Sequence, residues 1–357
     1  MNLDEAKQRL FNSSNNTYFA GLPGYEKNFS RDVLIQGLLT GDKDLLLAQI
    51  EYSALLQGVE YNPETGEEPG KIHHEYPDGS FRGRSTTYNA CDTNALFIIA
   101  ISRLVNRQGE TELLDRYSEQ IEDAVGYILN HIEASLFYED PSICGAEDFA
   151  LRVTYWKDSV LNSEQEEPRY PTVYSLVHFM SAYALQQIGR LTENQRIIGI
   201  GDQMKAVGID KLWRNDHFVA AIDDSIDVDA PSSDSLHALL YIEPAEINKE
   251  YVKKIFKYSK QLETKAGYRS GIAGDISDTY HTQFVWVFEQ ALLHAAATKH
   301  GLVQAAAVTR RVLSYIGDVF PELIDIENDF APAGNDPQLW SVGAVEYFKD
   351  INKSYLV

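Results

Sequence analysis

Cysteine is scarce: Cys91 and Cys144 are the only two among 357 residues. They form neither a disulfide framework nor a metal-ligand spacing, so free thiols in a reducing compartment are expected. The chain also lacks a run of about 18 uncharged apolar residues, which excludes an ordinary membrane-spanning helix. Its start, Met1-Asn2-Leu3-Asp4-Glu5, has neither the basic nor the apolar part of a signal peptide, and a soluble cytoplasmic protein is expected. Positive charge is short too. There are 31 Lys and Arg against 53 Asp and Glu, a formal net charge of -22, which opposes approach to a phosphate backbone and excludes nucleic acid as a partner. Strand signals are weak, and only small hairpins are expected, for example around Phe218–Ile222.

Metal and phosphate motifs are equally thin, so neither metal nor cofactor is expected. Adjacent His73 and His74 on an extended segment point to opposite sides and make a poor chelate, even with Glu75 beside them. The acidic run from Asp223 to Asp234 places oxygens as an EF-hand loop does, but Val228 stands where that loop needs glycine, which disfavours calcium. In Gly66-Glu67-Glu68-Pro69-Gly70 the glutamates would repel a bound phosphate.

What the chain has in quantity is helix. Segments apolar all round begin near residues 29, 91, 170, 235, 279 and 338, the fifth running from Tyr280 to Ala297. Each of the first five is followed by an amphipathic stretch: 42–58, 112–131, 193–207, 247–262 and 303–316. A helix apolar on every side must be buried, whereas an amphipathic one keeps a wet face. Two concentric rings satisfy both, predicting an all-α (α/α)6 barrel (a six-hairpin toroid) with long loops on one rim, and a single domain spanning 1–357. The sixth outer helix is missing after Phe348, and residues 2–11 are expected to fill its place.

The polar clusters fall just before these apolar helices: Arg31-Asp32, Cys91-Asp92, Trp156-Lys157-Asp158, Asp234, Tyr280-His281 and Gln338 with Trp340. Parallel inner helices would bring them all to one rim, where helix dipoles favour carboxylates. Plain N-capping is the alternative for Asp32, Asp92 and Asp234. The stretch Tyr155-Trp156-Lys157-Asp158-Ser159 is suited to a sugar, because an indole stacks on the apolar face of the ring and a carboxylic acid can protonate a glycosidic oxygen. A second acid, Glu322, sits behind Pro321 between apolar residues, as a rigid, partly desolvated general base would. Glu327 is its rival. Glu289, inside an apolar helix, is either a ligand-facing acid or a paired structural charge, with structure the favoured reading.

As an ordered set these motifs resemble the (α/α)6-barrel glycoside hydrolases related to the amylo-α-1,6-glucosidase domain of glycogen debranching enzymes, to processing glucosidases and to mannosylglycerate hydrolases. The matching segments are Gly21-Leu22-Pro23-Gly24-Tyr25, Phe29-Ser30-Arg31-Asp32, Gly70-Lys71-Ile72-His73-His74-Glu75, Asp92-Thr93-Asn94-Ala95-Leu96-Phe97, Trp156-Lys157-Asp158-Ser159 and Gln338-Leu339-Trp340-Ser341. The resemblance implies an inverting, exo-acting α-glycosidase that removes a terminal sugar, most simply glucose, with Asp158 as general acid and Glu322 as general base. Tyr25, Arg31, Asp32, His74, Glu75, Asp92, Trp156, Lys157, Tyr280, His281, Gln338 and Trp340 are the implied binding residues, with the Lys157 ammonium pointing away from the acid. The partner would be a small molecule or oligosaccharide. Ser30 replaces the family's usual glycine and 334–337 lacks its common cysteine; no β-sandwich domain is expected before the barrel, and a small or chain-end substrate is expected with it. The competing readings are a carbohydrate-binding protein without turnover, or a sugar phosphorylase or epimerase on the same barrel.

Overall fold

A computed structural model describes residues 1–158, 168–223, 227–272, 280–282 and 284–356. Thirteen α-helices lie among them: α1 (Leu3–Leu10), α2 (Ser30–Thr40), α3 (Lys43–Leu55), α4 (Thr93–Gln108), α5 (Glu112–Arg116), α6 (Ser118–Asn130), α7 (Ser175–Leu191), α8 (Gln195–Lys211), α9 (Asp234–Ala238), α10 (Lys249–Ser259), α11 (Val287–Lys299), α12 (Val303–Thr309) and α13 (Leu339–Lys349). Their packing separates two sets. The apolar helices touch in sequence, α2 to α4, α7, α9, α11 and α13, and α13 packs back against α2. Each packs against a second helix outside that series: α3 on α2, α6 on α4, α8 on α7, α10 on α9, α12 on α11 and α1 on α13, with α4 also touching α3 and α5. None of the helices is long and apolar enough to cross a membrane.

Burial explains the division. Every residue of α2 is buried, as are Val287 to Ala297 of α11, whereas α10 buries only Val252, Ile255, Tyr258 and Ser259 on one side. The N-termini differ in the same way. Outer helices α1, α3, α8 and α10 are capped by the side chains of Asn2, Asp42, Asn194 and Asn248. Inner helices α2, α7, α11 and α13 follow extended residues, Phe29, Tyr174, Trp286 and Gln338, with no side-chain cap. The first N–H of each is taken instead by a loop carbonyl, that of His74, Ala220, Glu322 and Ala20 in turn.

The structure corrects two expectations. The fifth apolar helix begins at Val287 and not near 279, because Phe284–Trp286 pairs as a strand with Leu323–Asp325, which in turn pairs with Ala331–Ala333. Strands also exceed simple hairpins: Val173–Tyr174 and Asp227–Val228 flank Ala221–Ile222 in a second three-stranded sheet. A two-stranded ribbon, Asn28–Phe29 with Glu75–Tyr76, stands directly before α2. These ribbons pin distant loops to the inner helix ends.

Candidate active site

An inner pocket of about 80 Å³ opens at those helix ends. At roughly 10–15 Å³ per water it holds about half a dozen waters, the bulk of one small ring. Arg31 and Asp32 enter it from the first turn of α2, Trp340 and Gln338 from the start of α13, and Trp156, Asp158, Tyr280, His281 and Glu322 from the loops between. Tyr25 and His74 complete its upper wall. Above lies a wider cavity of about 500 Å³, to which Glu75, Lys27, Arg82 and Arg152 contribute. Tyr25, Phe29, His74, Asp158 and Tyr280 line both spaces, so Asp158 stands at the junction, whereas Glu322 faces only the inner one.

Glu322 is 2% exposed and tightly held. One oxygen accepts from the Tyr280 hydroxyl; the other accepts from the Asn335 backbone N–H at 3.0 Å and its side-chain amide at 2.9 Å. Gly24 N–H in turn donates to Asn335 Oδ1 at 2.7 Å. Gly334 makes this grip possible: its φ is +80°, and a Cβ there would lie 2.5 Å from Glu322 Oε2. Burial, with the Glu322 charge adding to it, pushes the Tyr25 hydroxyl up to about 12. Burial likewise raises Tyr280 far above its ordinary value, so both phenols stay protonated as donors.

Asp158 is 42% exposed, and its Oδ1 lies 3.2 Å from His281 Nδ1. Asp32 is buried and accepts from Gln338 Nε2 at 3.3 Å. Burial lifts its pKa to about 8 despite Arg31 beside it, leaving it largely protonated near neutrality. Arg31 is committed to Asp92 through bonds of 2.7 and 2.9 Å and reaches His74 Nε2 at 3.5 Å. His74 Nδ1 faces the Thr86 carbonyl, and burial, followed by Arg31, holds its imidazole neutral. Among the described residues, three buried polar atoms of residues that line the inner pocket have no hydrogen-bond partner: the indole nitrogens of Trp156 and Trp340 and Oε1 of Gln338. Such atoms are costly to leave unpaired.

Two of the residues named from sequence stand behind the walls. Asp92 binds Arg31 from below, and Lys157 turns away from Asp158 into the protein body. There its ammonium meets Asp234 at 2.8 Å, the hydroxyls of Ser232 and Ser233 at 2.9 and 2.7 Å and the Ser270 carbonyl at 2.9 Å. Glu289 belongs to this buried cluster, bonded to Ser233, and Glu327 lines neither cavity. Asp92 and Asp234 are thus ion-paired and make no helix cap. Ser159 to Asn162 lie outside the described residues.

Asn335 and Trp286 are site residues that sequence reasoning missed. Trp286 reads locally as part of an apolar helix, and Asn335 as an ordinary turn residue. No group of three metal-ligating side chains occurs among the described residues. His73 donates toward Asn28 while His74 faces Arg31, Asp227 pairs with Arg214 and Asp229 with His217. The acidic stretch 223–234 is only partly described, since 224–226 lie outside the described residues.

No family model matches the sequence, and no curated protein matches it. Solved structures do. The mannosylglycerate hydrolase of glycoside hydrolase family 63 from Thermus thermophilus superposes with a TM-score of 0.68 over 97% of this chain and 98% of its own, at 12% identity. A glycosidase in complex with glucose gives 0.64 over 99% and 95%, at 13% identity. A rhamnosidase from Klebsiella oxytoca with rhamnose bound gives 0.63 over 98% of this chain and 63% of that one, at 14% identity. The chain therefore has the fold of (α/α)6-type glycoside hydrolases along nearly its whole length.

Proposed function

We propose that this protein is an inverting, exo-acting α-glycosidase, a single closed (α/α)6 barrel in which α1 completes the outer ring. One observation carries the reading: Asp158 and Glu322, 164 residues apart by 322 minus 158, line one pocket, with Asp158 at its mouth and Glu322 on its inner wall. A terminal sugar in the inner pocket and its aglycone in the outer cavity would put the glycosidic oxygen beside Asp158. Asp158 donates a proton to that oxygen, and a water activated by Glu322 adds to the anomeric carbon from the opposite side, which inverts its configuration. The Trp156 and Trp340 N–H groups, Gln338 and Asp32 supply hydroxyl contacts, and the small inner volume favours a single sugar residue, for which glucose is our first choice. The buried free thiols of Cys91 and Cys144 suit a reducing cytoplasm.

The direct test separates turnover from binding. D158N and E322Q are each expected to lower kcat by about 10²–10⁴-fold, while calorimetry finds the released sugar bound as tightly as by the wild type. A pair of variants that keeps full turnover refutes the assignment. A wild type that binds sugar but cleaves no α-glycoside would make the protein a binding module.

A further inference from the structure

His281 sits against the inner pocket where a sugar contact would be expected, but its ring faces elsewhere. Nδ1 lies 3.2 Å from Asp158 Oδ1, and only 4% of the side chain is exposed. The imidazole stacks parallel to Trp286, with centroids 5.0 Å apart and planes 4° apart. Trp156 and Tyr280 meet it at steep angles, at 5.8 and 4.7 Å. The ring is thus clamped by three aromatics and cannot turn toward a ligand without breaking that stack. Burial, then the charges of Lys157 and Arg31, bring its pKa to about 3, so the imidazole is neutral and carries a single N–H. A carboxylate facing Nδ1 draws that hydrogen to Nδ1.

We infer that His281 is a positioning residue for the general acid: its Nδ1–H holds Asp158 Oδ1 and so sets how the carboxyl is presented to the bond that breaks. The inference rests on the hydrolase reading. In the step, the carboxyl proton of Asp158 passes to the glycosidic oxygen while the bond from the anomeric carbon breaks, its electron pair going to that oxygen. Water adds to the anomeric carbon and gives its proton to Glu322. Asp158 gains a negative charge, and its hydrogen bond from His281 becomes charge-assisted and stronger. The histidine keeps its own proton throughout. Lys157 anchors the same loop from behind, so backbone and carboxyl are fixed by separate groups.

A leaving-group comparison distinguishes this role from sugar contact. H281F keeps a stacking ring and removes the donor, whereas H281N places an amide N–H near the former Nδ1. On methyl α-glucoside, whose leaving group needs the proton, H281F is expected to lose about tenfold or more in kcat/KM, the kinetic equivalent of a hydrogen bond to a charged group. On α-glucosyl fluoride, which needs far less protonation, the loss should be clearly smaller, and H281N should recover much of the glucoside rate. Equal losses on both substrates, or none on either, overturn the proposal. A second measurement needs neither a folded H281F nor activity. In the ¹⁵N spectrum of wild-type imidazoles, assigned by the signal missing from H281N, the His281 proton is expected on Nδ1. A proton on Nε2 overturns the proposal. If the wild type cleaves neither substrate the hydrolase reading fails, and the tautomer still decides whether the hydrogen bond exists.

Discussion

Neighbouring residues 157 and 158 divide the work of one loop. Lys157 faces inward to a buried cluster with Asp234 and Glu289, and Asp158 faces the cavities. Burial raises Glu289 to about 7, opposed by Lys157 and Ser233. The folded state therefore holds a proton that the unfolded chain, with an ordinary carboxyl value of 4.5, has released. By linkage, stability contributed by this group is fully present below the unfolded value and is lost as pH rises through the window from 4.5 to about 7. E289Q has no proton to lose. Denaturant unfolding at pH 5 and pH 8 should show the wild type losing on the order of 3 kcal/mol relative to E289Q, and parallel curves would show that Glu289 does not titrate in this window. Composition and motif order pointed to Trp156 and Asp158. The turn of Lys157 away from the acid and the structural reading of Glu289 were also expected from the sequence, but their partners Ser232, Ser233 and Ser270, distant along the chain, were not.

At the level of elements, the inner helices were legible because burial on all sides leaves no polar stripe, as α2 shows. The start of α11 was not, since Phe284–Trp286 is extended only by pairing with Leu323–Asp325 nearly forty residues later. That same sheet carries Glu322, immediately before Leu323, and Gly334 lies just past its last strand, Ala331–Ala333. Gly334 adopts φ +80°, and any side chain would strike Glu322. G334A should cost about 1–2 kcal/mol of stability from the left-handed backbone alone. It should also depress kcat well beyond what the fall in melting temperature explains, because the carboxylate is displaced. Unchanged kcat in a folded G334A would mean that the Asn335 turn does not set the position of Glu322.

For the molecule as a whole, the order of contacts from α2 through α13 and back explains how motifs scattered from Tyr25 to Trp340 reach one pocket. Irregular loop lengths hide this closeness from any local reading, while loop carbonyls of His74, Ala220, Glu322 and Ala20 take the first N–H of α2, α7, α11 and α13 and so tie the loops to that end. The proposed single displacement by water uses the division into a small inner pocket and a wide outer cavity, with Asp158 lining both and Glu322 only the inner one. The stereochemistry of the product tests that most directly. Proton NMR of the first sugar released from an α-glycoside, recorded before mutarotation, should show the β anomer. Release of the α anomer would contradict the roles given to Asp158 and Glu322.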